Sequence, residues 1–311
     1  METVILSPSD SIQKALDSLS SPAVVKLKSG VYREKVEVKN DGVIISGEGE
    51  NTVISYGDFA RKLAGDGKEY GTFRTYTLCV TGNNVKLENL TVENPNSDPK
   101  EKGQCVALSV NAKSFSAENV TLKSTQDTLF LYPFPDDLVI RYKNLLPHRQ
   151  LYNEGGAVHL FKNCTIYGTV DFIFGCAEAY FKDCKLISLN DGRDAGFVAA
   201  PAHSLAFERG FVFLNCDFVS EGADDNSVYL ARPWRDFGKC EFINCKLGKH
   251  INANLFDKWN DTQRDKTARF LYYNLACDFE AKPVNWCKPI AEEQVNNIIK
   301  RYLLKYKEIN K

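Results

Sequence analysis

The chain has 311 residues, 43% of them apolar, which is enough for one large core; nothing in the composition asks for a second domain, and residues 1–311 read as a single unit. Its 39 basic and 40 acidic residues leave a formal charge of −1, which excludes a global field that would gather nucleic acid or an acidic polymer, so a charged ligand must be held by local groups. No run of 18 apolar residues exists to cross a membrane, and no membrane partner is expected.

Met1 to Ser11 has neither the basic patch nor the apolar run of an export signal, which reads as a soluble, cytoplasmic chain unless a preceding segment has been removed. From Ser9 to Leu19 the apolar residues Ile12, Ala15, Leu16 and Leu19 recur at helical spacing, so a short helix is expected to cover the open end of the strands beyond it.

The middle of the chain carries a repeat: a polar Asn or Asp, a small or apolar residue, any residue, then an apolar one. Its six copies begin at Asn89, Asn119, Asn163, Asp183, Asn215 and Asn244, at intervals of 30, 44, 20, 32 and 29 residues. Each lies in a short alternating run of strand character, such as Val85-Lys86-Leu87-Glu88. Short strands at this irregular interval predict the coils of a parallel β-helix with loops of varying length between them. A β-sandwich would also alternate, but the wide spacing and the lack of Asn-Gly hairpin turns count against it. In stacked coils Cys164, Cys184, Cys216 and Cys245 share one repeat position and are expected to form an inward ladder of reduced thiols. The ten cysteines include no CxxC pair that would suggest zinc. Beyond the repeats, Ala291 to Tyr306 carries Val295, Ile298, Ile299, Tyr302 and Leu303 on one face, which predicts a second helix packed back on the coils.

The repeat also makes a chemical statement. Asp127 lies eight residues after Asn119, and Asp171 eight residues after Asn163, so the two hold one repeat position. If these coils are neighbours, the side chains project together at about the 4.8 Å spacing of paired strands. Aspartate is a poor strand residue, and two close carboxyls resist ionising together, so one becomes an acid and the other a base or nucleophile. A purely structural Asp ladder is the alternative. His148, His159, His203 and His250 are scattered and read as structural or surface residues, and no Gly-x-Ser-x-Gly elbow supports serine chemistry.

At these residues the sequence resembles a family. Gln126-Asp127-Thr128-Leu129, Asp171-Phe172-Ile173-Phe174-Gly175 and Leu230-Ala231-Arg232-Pro233-Trp234 are similar, in that order, to signature segments of pectin methylesterases. Gly30-Val31-Tyr32-Arg33-Glu34 and Gln104-Cys105-Val106-Ala107-Leu108 are similar to two more. The resemblance spans roughly residues 10 to 275 and implies an all-β, right-handed parallel β-helix with a capping helix and a C-terminal helix. It also implies a hydrolase without cofactor or metal, acting on methyl-esterified homogalacturonan or oligogalacturonides; nothing in the sequence argues for more than a monomer. Carried over residue by residue, it makes Asp171 the nucleophile, Asp127 the general acid and then base, Gln126 and Gln104 the oxyanion donors, and Arg232 the partner of Asp171. Trp234, Phe174 and Trp259 are implied to form the subsite walls.

A β-helix polysaccharide lyase, a same-fold esterase for another acyl group, and a non-catalytic carbohydrate-binding β-helix are the alternatives. Ala231, Cys176 and Cys105 depart from the usual family residues at no proposed chemical position. The larger departure is the 44 residues between Asp127 and Asp171, about twenty more than the family's usual interval. The excess, from Pro133 to Arg149, is expected to be a loop beside the cleft.

Overall fold

The computed structural model describes residues 1–65, 67–96, 98–151 and 156–309. Every pairing between its named strands is parallel, as in Ser114–Lys123 on Val85–Glu93 and Val158–Lys162 on Glu178–Lys182. The strands wind into a right-handed parallel β-helix, the hand that parallel crossovers take. Among the described residues they form two sheets. One has seven strands, in the order Val36–Val38, Leu78–Val80, Leu108–Val110, Leu129–Leu131, Val170–Gly175, Gly196–Pro201 and Val228–Ala231. The other, of 18 strands, wraps the remaining faces.

The recurring polar residue turns out to make the corner rather than the strand. Asn89, Asn119, Asn163, Asp183, Asn215 and Asn244 all have φ between 52° and 55°, and Asn274 at 48° is a further corner of the same kind, outside the six sequence copies. Asn and Asp reach this left-handed region most readily among residues with a side chain. At Asn119 the strand Ser114–Lys123 bends, pairing before the corner with Val158–Lys162 and after it with Thr165–Gly168. The side chains link coil to coil, Asn119 Nδ2 donating to Asn89 Oδ1 at 3.0 Å and Asn274 Nδ2 to Asn244 Oδ1 at 2.8 Å.

Inside the corner the expected thiol ladder is present. Cys164, Cys184, Cys216 and Cys245 are buried, all ten cysteines are free, and each of the four thiols faces a main-chain oxygen of the preceding coil at 3.3–3.5 Å. Burial pushes the Cys164 and Cys216 thiols well up. Beside them Phe161, Phe181, Phe213 and Phe242 share one register and stack with centroids 4.9, 4.7 and 4.8 Å apart, the spacing of the strands themselves.

The N-terminal helix runs over Ile12–Ser18, capped by Ser11, and buries Ile12 and Leu16. Glu34, from a signature-like segment, accepts from Ser11 Oγ at 2.6 Å and the Ile12 amide at 2.7 Å, so its part here is to anchor that helix. The C-terminal helix, Glu292–Ile309, packs Val295, Ile298 and Tyr302 on the outward residues Leu160, Tyr180 and Val212, and Arg301 grips Glu178 through two bonds of 2.6 and 2.7 Å.

The segment after Leu131 differs from the expected loop. It contains helices Asp136–Tyr142 and His148–Leu151. Asp136 and Asp137 in the first turn and Arg141 in the last suit the helix dipole, while Leu138 and Tyr142, one turn apart, are buried.

Replacing Asn119 by Ala removes both a tolerated left-handed residue and a ladder bond, and is expected to cost roughly 1–2 kcal/mol. Asn119→Gly, which keeps the backbone freedom, is expected to cost clearly less. Urea midpoints of the two variants compare them; equal losses would assign the effect to the side-chain bond alone.

Candidate active site

The residues singled out in the sequence converge. Gln104, Gln126, Asp127, Asp171, Phe174, Arg232, Trp234 and Trp259 all line one cavity of about 250 Å³ over the seven-stranded sheet. They come from successive coils: Gln104 precedes Leu108–Val110, Asp127 precedes Leu129–Leu131, Asp171 opens Val170–Gly175, and Arg232 follows Val228–Ala231.

The aspartates are neighbours for the reason the repeat gave, with a refinement. Leu129 pairs with Ile173 and Phe130 with Phe174, so the register continued two residues back sets Asp127 opposite Asp171. The Asp127 amide donates to the Val170 carbonyl at 3.1 Å. Neither aspartate is in strand geometry, since φ is 63° at Asp127 and 51° at Asp171. The register between Val170–Gly175 and Gly196–Pro201 slips between Val170 and Ile173, a bulge that aims Asp171 and Phe174 at the cavity while Phe172 and Ile173 enter the core. Gly175 permits this packing, because a Cβ there would lie 2.0 Å from the Leu131 carbonyl oxygen.

The two carboxyls sit in different surroundings. Arg232 Nε and Nη2 donate to the two oxygens of Asp171 at 2.8 and 2.7 Å. The guanidinium is itself clasped between rings, 3.8 Å from the Phe197 centroid and 3.9 Å from that of Trp259. Trp259, a candidate subsite wall that lines the cavity, also covers one face of Arg232; a planar cation offers that face once its edge is bound. Asp127 is buried, and desolvation followed by the charge of Asp171 holds its carboxyl well above the usual carboxylate range. Phe174 is 3% exposed and packs edge-on to Trp234 at 5.7 Å, forming floor more than wall.

Gln126 depends on a residue that the sequence did not single out. Arg193 Nη1 donates to Gln126 Oε1 at 2.9 Å and Nη2 to Thr169 Oγ1 at 3.1 Å, while Asp191 binds the same guanidinium. With Oε1 engaged, the NH₂ of Gln126 is the end left for the cavity. Only the turn-forming Asp191-Gly192-Arg193 could have hinted at Arg193, and turns of that kind are common. Thr72, Phe73, Leu138, Arg141 and Tyr142 also line the cavity, from loops whose lengths carry no repeat signal. The histidines are structural as expected: His159 and His203 each place Nε2 2.9 Å from a main-chain oxygen, and burial lowers them to about 4 and about 3.

A family model described as Pectinesterase matches residues 5–135 and 148–289. The chain belongs to the pectinesterase family. This pectinesterase is 29% identical to pectinesterase QRT1 of Arabidopsis thaliana over 294 residues, which is 92% of this chain and 70% of that protein. It matches the solved pectin methylesterase of Yersinia enterocolitica with a TM-score of 0.76 and 27% identity over 92% of this chain and 95% of the other. It also matches a pectin methylesterase mutant in complex with a hexasaccharide, with a TM-score of 0.75 and 25% identity over 92% and 90% of the two chains. The family match skips residues 136–147, which include the helix Asp136–Tyr142 beside the cavity.

Because the Asp127 carboxyl is raised on folding, the folded protein holds this proton more tightly than the unfolded chain. Its contribution to stability is full below the unfolded value and is lost as pH rises through the folded one. Asp127→Asn is expected to remove that loss, so thermal scans from acid to neutral pH should show the variant's Tm gaining on the wild type as pH rises. A constant difference would refute the raised value.

Proposed function

We propose that this pectinesterase removes methyl esters from galacturonate residues of pectin or methylated oligogalacturonides through an acyl-enzyme on Asp171. One observation carries the reading: the paired carboxyls are unlike, Asp171 fixed by the Arg232 fork and Asp127 buried beside it with its carboxyl raised.

The ionised Asp171 attacks the C6 carbonyl carbon, and the C=O electron pair moves to oxygen. Gln126, turned by Arg193, and Gln104 donate N–H groups to that oxyanion. Neutral donors suit the place, since a further carboxylate would repel it. When the tetrahedral centre collapses, the C–OCH₃ bond breaks and Asp127 gives its proton to the departing methoxide, forming methanol. A water then loses a proton to Asp127 and attacks the acyl carbon. The bond to Asp171 breaks, the galacturonate leaves as the acid, and both aspartates return to their starting states. Arg232 keeps Asp171 oriented through the cycle, and the rings of Phe197 and Trp259 keep Arg232 in plane.

Asp171→Ala is expected to lower methanol release by roughly 10³-fold or more with circular dichroism and Tm little changed. Near-normal turnover would sink the nucleophile assignment. Arg232→Lys replaces a planar fork by a point charge that also loses both ring faces, and kcat is expected to fall on the order of 10²-fold. An unchanged rate would reduce Arg232 to a structural role.

A further inference from the structure

One cation walls the cavity with no counter-charge. Arg141 is exposed on the helix Asp136–Tyr142 and has no carboxylate partner among the described residues; its guanidinium lies 5.6 Å from the Tyr142 ring centroid. The other arginines near the pair are committed, Arg232 to Asp171 and Arg193 to Asp191 and Gln126. With Asp127 protonated and the Asp171–Arg232 pair cancelling, Arg141 contributes the uncompensated charge of the cavity wall.

The helix that carries Arg141 is pinned at both ends. Asp137 binds Arg235 Nη2 at 2.9 and 2.7 Å, and the Arg235 guanidinium lies 4.8 Å over the Trp234 ring. At the other end Tyr142 meets Phe73 edge-on at 5.0 Å. Phe73 precedes the strand Leu78–Val80, whereas Tyr142 follows the strand Leu129–Leu131. The contact joins segments that belong to two different coils and holds the end of the helix next to Arg141 at the cavity.

A pectic chain carries a carboxyl group on every residue, either as ester or as free carboxylate. The aspartates require an ester, and a guanidinium with no carboxylate partner among the described residues suits a carboxylate. We propose that Arg141 is a specificity-determining residue that binds the free carboxylate of the galacturonate adjoining the one being de-esterified. This rests on the reading of the site as a pectin methylesterase. The segment that supplies Arg141, residues 136–147, lies outside the family match.

The test uses the full chain as wild type, Arg141→Gln and Arg141→Lys. Two oligogalacturonides of equal length are compared, one fully methylated and one with methyl esters flanked by free carboxylates, at low and high salt. The wild type is expected to favour the mixed oligomer, and less so in high salt. Arg141→Gln is expected to lower kcat/KM on the mixed oligomer about tenfold, chiefly through KM, with a clearly smaller loss on the methylated oligomer. Arg141→Lys should restore part of the loss. Equal effects on both oligomers, or none, overturn the proposal; no methanol from either oligomer with the wild type would instead overturn the underlying function.

Discussion

Parallel coil stacking at a single strand spacing is the constraint on which everything else rests. Each coil has one neighbour on either side, so a residue type repeated at the same offset becomes a physical column. Asparagines become a hydrogen-bonded corner, cysteines and phenylalanines fill the interior behind it, and two aspartates become neighbours in one cavity. The same rule that stabilises the fold by repetition thus places two carboxyls side by side, which an ordinary core would avoid.

The two members of the pair are made unequal by their surroundings. A buried carboxylate is tolerated when both oxygens accept charge-assisted bonds, and Arg232 gives Asp171 that arrangement. Its neighbour receives no such fork and keeps its proton longer. Arg232 in turn is held flat by Phe197 and Trp259, and Gln126 is turned by Arg193. These cavity groups are thereby fixed by a second set of contacts.

The coils, the thiol ladder and the adjacency of Asp127 and Asp171 were legible in the sequence because they depend on repetition, and repetition survives in one dimension. Asn119 as a left-handed corner was only half legible: the period marked it, but the pattern did not say whether it lay in a strand or ended one. Phe197 and Arg193 were invisible because their partners lie on other coils at no fixed offset. Trp259 was identified as a cavity residue, but its contact with Arg232 was not, since one-dimensional spacing says nothing of the guanidinium it would face. The helix Asp136–Tyr142 went unread although its acidic first turn and the Leu138–Tyr142 spacing were present, because seven residues are too few for a periodic signal.

The 44-residue and 20-residue intervals lead into one ladder, Ser114 pairing with Val158 and Val158 with Glu178 as though no difference in length existed. In a solenoid, a longer connection between coils costs little beyond loop closure, about 0.6 kcal/mol for each doubling of length. The aspartate pair and the wall of its cavity are therefore separable inheritances. A lineage can lengthen, shorten or exchange the segment after Leu131 without displacing Asp127 from Asp171, and so reshape the cavity wall while the pair keeps its register.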